Sequence, residues 1–235
     1  SQGTNQVRVE VIIVGAGKGA RFGEVRPKQF SYLCKKPIFC WTIERFEKCE
    51  LIDKIILVIP PRMKEYVQKS ILSYSDYKKI KATVEGGKER GDSVFQGLQV
   101  VDRDTDIVLI HDGVRPLIFP ELIERLIHQV EKCGAATLAV PMKETVKEVS
   151  RESAVAQTLD RKKLYSIQTP QGFKREIIWK AYQTARESGQ WASDDAALVE
   201  KIGKRVMIIL GNEMNIKITT SLDLKLAEIL LRNSV

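Results

Sequence analysis

The chain has 235 residues, 43% hydrophobic and 29% charged, which is length enough for a sizeable core and an ordinary balance for a globular domain. Its 38 Lys and Arg against 30 Asp and Glu leave a net +8, but aromatics are only 7% and no dense basic tract is interleaved with them, which points away from nucleic acid and leaves a solvated basic surface or, as the other reading, a small anionic substrate. No apolar run approaches the ~20 residues of a transmembrane helix, and Cys34, Cys40, Cys49 and Cys133 form no C-x-x-C pair and have no neighbouring histidine, which excludes a zinc or disulfide framework and suits a cytoplasmic setting.

Residues 1–6 are polar and read as a disordered tail or an expression remnant ahead of a single domain over 7–235. The first structured stretch, Val9 and Val11 to Val14, is β-branched and predicts a buried strand. It runs into a loop holding Gly15, Gly17, Gly19 and Gly23, followed by Arg21 and Lys28. Glycines at that density let backbone N–H groups approach a ligand closely, and anions are the natural guest.

Three motifs compete for this loop. Gly15, Gly17 and Ala20 fit the dinucleotide fingerprint G-x-G-x-x-G/A. That fingerprint needs a helix running on from about Gly17, and Pro27 would fall inside it. The acidic residue expected about 20 positions on is also missing, since Cys34-Lys35-Lys36 stand there. No register supplies a Walker loop. The nucleotidyltransferase pattern G-x-G-x-R followed by Pro27-Lys28 fits best.

Beyond the loop, Pro37 opens an amphipathic helix to Phe46 with Ile38, Trp41, Arg45 and Phe46 at helical intervals. Residues 54–60 predict a strand, 63–72 a helix, 81–84 a strand ending at Gly86-Gly87, and 93–101 a helix with Val94, Leu98 and Val101 on one face. Residues 106–110 are a fourth strand, leading into His111-Asp112-Gly113-Val114-Arg115-Pro116. A helix over 122–130 and a strand over 135–140 follow. Strand and helix alternating at this spacing predict a doubly wound, mostly parallel Rossmann-like α/β sheet, with the ligand site beyond the carboxyl ends of the strands.

The alternation breaks at Met142. Residues 145–149 and 155–159 flank the turn 150–153 and predict a protruding β-hairpin arm, 142–162, with little apolar surface of its own. A second copy of the chain is the expected partner for it. Residues 165–169 are then extended, and 174–187 helical. A helix over 193–202 has Ser193 as its cap and Asp194-Asp195 in its first turn. Residues 205–210 and 215–218 are the last predicted strands, and 221–231 a closing helix with Leu222, Leu226, Ile229 and Leu230 inward.

Gly17 to Arg21, Pro27-Lys28-Gln29, Gly86-Gly87 with Arg90 and Ser93, His111-Asp112 with Arg115-Pro116, Lys143-Glu144-Thr145, Asp160-Arg161, Gln168-Thr169-Pro170-Gln171, Asp194-Asp195 and Asn215-Ile216-Lys217 stand in one order. In that order they resemble the 2-C-methyl-D-erythritol 4-phosphate cytidylyltransferase family of the non-mevalonate isoprenoid pathway. The resemblance implies a homodimeric enzyme that joins CTP to a sugar-alcohol phosphate with Mg²⁺, releasing pyrophosphate.

It also implies roles. Arg21, Lys28 and Lys217 would be catalytic, and Gly15, Ala16, Gly17, Gly19, Gly87, Arg90, Ser93 and Asp112 would bind CTP. Asp112, Arg115, Thr145, Arg161, Thr169 and Lys217 would grip the acceptor, with Asp112 also holding the metal. Val14-Gly15, Ala20 and Gly113 depart from the family's usual residues, but none of these swaps removes a proposed charge. A ribitol 5-phosphate cytidylyltransferase of the same fold, a non-catalytic nucleotide-binding domain and a Rossmann oxidoreductase are the alternatives; the Asp160-Arg161 pair looks more like the methylerythritol enzyme.

Overall fold

The computed structural model describes residues 6–17 and 26–234. Gly19, Ala20, Arg21 and Gly23 of the glycine loop lie outside the described residues. The chain runs through β1 (Val9–Val14), the short strands β2 (Tyr32–Leu33) and β3 (Lys36–Pro37), α1 (Ile38–Glu47), β4 (Lys54–Ile59), α2 (Lys64–Ser70), β5 (Ile80–Glu85), α3 (Arg90–Leu98) and β6 (Ile107–Asp112). It continues with α4 (Pro120–Cys133), β7 (Ala135–Pro141), β8 (Lys147–Val149), β9 (Val155–Thr158), β10 (Tyr165–Lys174), α5 (Arg175–Ser188), α6 (Asp195–Lys201), β11 (Met207–Leu210) and α7 (Ser221–Arg232).

Seven strands form one sheet in the order β11-β7-β10-β6-β1-β4-β5, and every neighbouring pair is parallel except those made by β10. Alternation along β1 distributes its side chains to two cores. Val9, Val11 and Ile13 pack with Phe39, Ile43 and Phe46 of α1 and with Leu122, Ile123 and Leu126 of α4. Ile12 points the other way, to Val94 and Leu98 of α3, Ile178 and Tyr182 of α5 and Val199 of α6. Helices therefore cover both faces, as expected of a doubly wound sheet. A third, smaller core joins Leu33 and Ile38 to Val114, Ile218, Ala227 and Leu231. Among the described residues no helix is long and apolar enough to cross a membrane.

Several expectations need correcting. The extended segment expected over 165–169 continues to Lys174 as β10, antiparallel between β7 and β6, with an irregular register between Ile167 and Gln171. Proline in a run argues against a central strand, which is why Pro170 hid it; the broken register is where it is tolerated. Residues 215–218 form no strand. They tie the loop after β6 to β10, Ile218 donating its N–H to Val114 O at 2.9 Å while the Asn215 amide donates to Thr169 O at 2.8 Å.

α3 starts at Arg90 rather than near Ser93, because the Asp92 carboxylate accepts the Glu89 N–H at 3.0 Å and so closes the first turn three residues early. The cap of α6 is Asp194, which accepts from Ala197 N–H at 2.9 Å, while Ser193 is exposed. α7 buries Ala227 and Leu231 and leaves Leu222, Leu226 and Ile229 exposed. With Leu224, Leu230 and Leu231 also present, its apolar residues run almost round the helix, so spacing alone does not select the inward face.

Strands β8 and β9 pair as a two-stranded antiparallel ribbon whose residues are all exposed.

Candidate active site

The chain leaves β1 towards β4 on one side and reaches β6 on the other, so the carboxyl ends of β1 and β6 mark the point where strand order reverses. Ligands of open α/β sheets bind in that crevice. Two adjoining cavities open there. One, of about 300 Å³, is lined by Gly15, Ala16, Gly17, Lys28, Gln29, Gly87, Arg90 and Ser93, among others. The other, of about 840 Å³, is lined by Arg115, Thr169, Gln171, Ser193, Lys204 and Met207, among others. Arg90, Asp112 and Lys217 line both and form the wall between them.

The smaller cavity is built by two loops held close together. A Cβ on Gly86 would lie 2.3 Å from Ala16 Cβ and 2.6 Å from Ser93 Oγ, so only glycine lets the 15–17 segment meet the 86–93 segment. A Cβ on Gly15 would run into the Phe39 ring at 2.7 Å. Gln29, buried beneath the loop, donates its amide to Gly15 O at 2.6 Å and to Gly17 O at 3.1 Å. Those two bonds turn the carbonyls downwards. Ser93 Oγ accepts the Gly87 N–H at 3.2 Å and donates to Glu89 O at 3.2 Å. A hydroxyl has one proton and two lone pairs, so one lone pair remains for a ligand.

The shared wall is an ion cluster. Asp112, at the last position of β6, faces Arg115 Nε at 3.1 Å, Arg90 Nη2 at 3.4 Å and Lys217 Nζ at 3.8 Å. Burial would push its carboxyl up, but Arg90, Lys217 and Arg115 outweigh that and hold it well below the usual carboxylate range. Burial likewise opposes the charge of Arg90, and Asp195 and Asp112 overcome it and raise its pKa. Arg115 also donates to Asn215 O at 2.8 Å, which ties the wall to the segment carrying Lys217.

His111, fully buried one residue before Asp112, is a packing group as its sequence context suggests. Burial pushes its pKa down to about 4, so it is neutral near pH 7. Thr169 Oγ accepts the Asp112 N–H at 3.0 Å, so its proton goes to His111 Nδ1 at 2.9 Å, and His111 Nε2 then donates to Arg115 O at 2.9 Å. The chain Asp112–Thr169–His111–Arg115 fixes the wall from behind.

The described residues thus bring Gly15, Ala16, Gly17, Lys28, Gly87, Arg90, Ser93, Asp112, Arg115, Thr169 and Lys217 to one crevice. Thr145 and Arg161 are exposed at the base of the arm and line neither cavity of a single copy; Arg161 donates to Lys143 O. Sequence reasoning assigns no site role to Gln29, Tyr182 or Asp195. Gln29 and Asp195 do sit inside quoted motifs, which was the available signal, whereas nothing marks Tyr182 along the chain.

Among the described residues no group of three or more His, Cys, Asp or Glu side chains forms a metal cage. Mg²⁺ rarely needs one, because it keeps waters and binds through one or two carboxylates plus substrate phosphates. The carboxylate of Asp112, lining the same cavity as Gly15, Ala16 and Gly17, fits a dication that arrives with a polyphosphate.

A family model described as 2-C-methyl-D-erythritol 4-phosphate cytidylyltransferase matches residues 9–233. A relative of that name from Alkaliphilus oremlandii is 44% identical over 228 residues, covering 97% of each chain. One from Desulforamulus reducens is 42% identical over 224 residues, covering 95% of this chain and 96% of its own. Among solved structures, 4-diphosphocytidyl-2C-methyl-D-erythritol synthase from Anaerococcus prevotii superposes with a TM-score of 0.86 at 31% identity, covering 97% of this chain and 100% of its own. The Francisella tularensis 2-C-methyl-D-erythritol 4-phosphate cytidylyltransferase gives 0.80 at 31% identity, over 94% and 99%.

Proposed function

The chain belongs to the 2-C-methyl-D-erythritol 4-phosphate cytidylyltransferase family, and we propose that its two adjoining cavities hold the two substrates of that reaction on either side of the Asp112 wall. The protein transfers the cytidylyl group of CTP to 2-C-methyl-D-erythritol 4-phosphate. An oxygen of the acceptor phosphate forms a bond to the α-phosphorus of CTP, the bond from that phosphorus to the α–β bridging oxygen breaks, and pyrophosphate leaves with the electron pair. The acceptor is a phosphate monoester with a second pKa near 6, so it is ionised near pH 7 and no general base is required. The barrier is the meeting of two anions, and fixed cations are the means of lowering it.

CTP occupies the smaller cavity, its triphosphate against the 15–17 backbone and Lys28, and its base near Gly87 and Ser93. The free lone pair of Ser93 Oγ suits the exocyclic amino group of cytosine. The acceptor occupies the larger cavity, its phosphate directed by Lys217 and Arg115 towards the wall. Lys28 faces the α-phosphate; Arg21, its partner in the family motif, lies outside the described residues. Asp112 would hold Mg²⁺ together with phosphate oxygens, and the dication would neutralise charge on the triphosphate as it develops.

Thr145 and Arg161 reach an acceptor only if the arm extends to a second copy, so the active species is a homodimer with shared sites. Support for this comes from the ribbon itself, since Val149 and Val155 are 62% and 57% exposed with no core beneath them.

The observation that carries the assignment of the two pockets is the wall of Arg90, Asp112 and Lys217, common to both. Pyrophosphate release with CTP and Mg²⁺ tests it, comparing 2-C-methyl-D-erythritol 4-phosphate with D-ribitol 5-phosphate. Release with the first alone is expected, and release with only the second would move the acceptor assignment. Lys28→Ala is expected to lower kcat by about 10²–10³, the scale of losing one group that stabilises transition-state charge. Near-normal turnover of that variant would refute the electrostatic account.

A further inference from the structure

Asp195 opens α6 but, unlike Asp194 beside it, does not cap the helix. Its side chain turns inward and is fully buried, lining neither cavity. Its Oδ1 accepts from Arg90 Nη1 at 3.1 Å and its Oδ2 from Arg90 Nη2 at 3.1 Å, a two-pronged grip on the guanidinium. The Tyr182 hydroxyl, from α5, also donates to Oδ1. The start of α3 is seated on the same structure: a Cβ on Gly91 would lie 2.3 Å from the Trp191 ring, and that ring stands 5.6 Å from Tyr182.

Arg90 is thus held from behind by one carboxylate while its Nη2 reaches another, Asp112 Oδ1, at 3.4 Å. A guanidinium fork matched to a single buried carboxylate has one orientation. Were the rear partner lost, Asp112 would be the carboxylate left, among the described residues it pairs with, and Arg90 would close onto that. The wall would then lose both a ligand-facing cation and the open face of its carboxylate.

We propose that Asp195 is a positioning residue for the nucleotide site, acting through Arg90 and touching no substrate. This rests on the cytidylyltransferase assignment for the identity of the nucleotide. Asp195→Asn keeps the shape but replaces one acceptor oxygen with an NH₂ that cannot accept from Arg90.

The test is CTP affinity by isothermal titration calorimetry together with kcat and KM for pyrophosphate release. Asp195→Asn is expected to weaken CTP binding about tenfold, mainly as a rise in KM for CTP with a smaller fall in kcat. In an Arg90→Lys background, where no fork remains to be oriented, the same change is expected to cost less than twofold. A purely structural role would give one factor in both backgrounds. Val130→Ala, a cavity variant in the opposite core, supplies a comparison that loses melting temperature and keeps its KM for CTP. Should Asp195→Asn fail to fold, Tyr182→Phe loosens the same carboxylate without removing a buried charge; it is expected to weaken CTP about threefold, and to be silent with Arg90→Lys. CTP affinity within twofold of wild type, or equal losses in the two backgrounds, would overturn the proposal. Wild type that binds CTP but releases no pyrophosphate would overturn the reaction and leave the affinity comparison to decide on Asp195; wild type that binds no CTP would overturn both.

Discussion

Gln29 shows how a neutral side chain can prepare an anion site. Its amide holds the carbonyls of Gly15 and Gly17, which occupies two acceptor oxygens that would otherwise oppose an anionic ligand. Gln29→Glu sets a carboxylate against two carbonyl oxygens in a buried place. The expected result is a loss of about 1–3 kcal/mol in stability, the cost of a buried hydrogen-bonding group left without its partner. CTP affinity is expected to fall at least tenfold alongside it. Urea denaturation and calorimetry with CTP check the two parts separately. At this scale the charged residues of the wall were legible along the chain: Asp112 and Arg115 stand in a recognisable motif just after a predicted strand, and Lys217 in one that itself reads as a strand. Their supports were not. Asp195 meets Arg90 and Tyr182 only after the sheet has brought α3, α5 and α6 together, and no local pattern encodes that meeting.

Among the elements, β1, β4 and β6 announced themselves by β-branched runs buried on both faces, and the helices by apolar spacing. β10 did not, because Pro170 interrupts it, and residues 215–218 look like a strand while tying the loop after β6 to β10. α7 shows the limit of periodicity, since a helix apolar on most of its surface has no single inward face to read. At the opposite end of the sheet from the site, Asp102 joins β4 to β5 by accepting from Lys54 Nζ at 2.6 Å and Lys81 Nζ at 2.9 Å. Lys81 also pairs with the buried Glu10 of β1. The hydrogen bonds from Lys54 and Lys81 pull the pKa of Asp102 down to about 2. A lowered carboxyl pKa stabilises the fold above the unfolded-state value near 4, and the gain is lost as pH falls towards 2. The Asp102 side chain is 38% exposed, so solvent screens the pair and the effect is a modest one. Asp102→Asn is expected to flatten the dependence of stability on pH between 4 and 2 and to leave stability at pH 9 to 7 without added slope, as followed by urea midpoints.

For the whole molecule, the exposed ribbon is the feature that a single copy does not account for. Val149→Asp with Val155→Asp puts charge on both valines of the ribbon without touching either cavity. Sedimentation is expected to shift from dimer to monomer, and KM for the acceptor to rise more than KM for CTP, because Thr145 and Arg161 would no longer reach a neighbouring site. A variant that stays dimeric with unchanged kinetics would place the interface elsewhere.

The position of β10 also bears on how the molecule is assembled over time. β6 and β7 both precede it in the chain, yet β10 lies between them and is the bridge through which β7 joins the sheet. A growing polypeptide that has reached β7 can pair β1 with β4 and β6, but that edge must wait for Tyr165–Lys174 before it can be extended. Pairing delayed in this way is slow and leaves a strand edge open meanwhile. Gly15, Gly87 and Asp112 belong to the part that can close first, and Thr169 arrives only with the late strand. The part of the crevice around Gly15 and Gly87 can therefore take shape during synthesis before Thr169 completes the acceptor side.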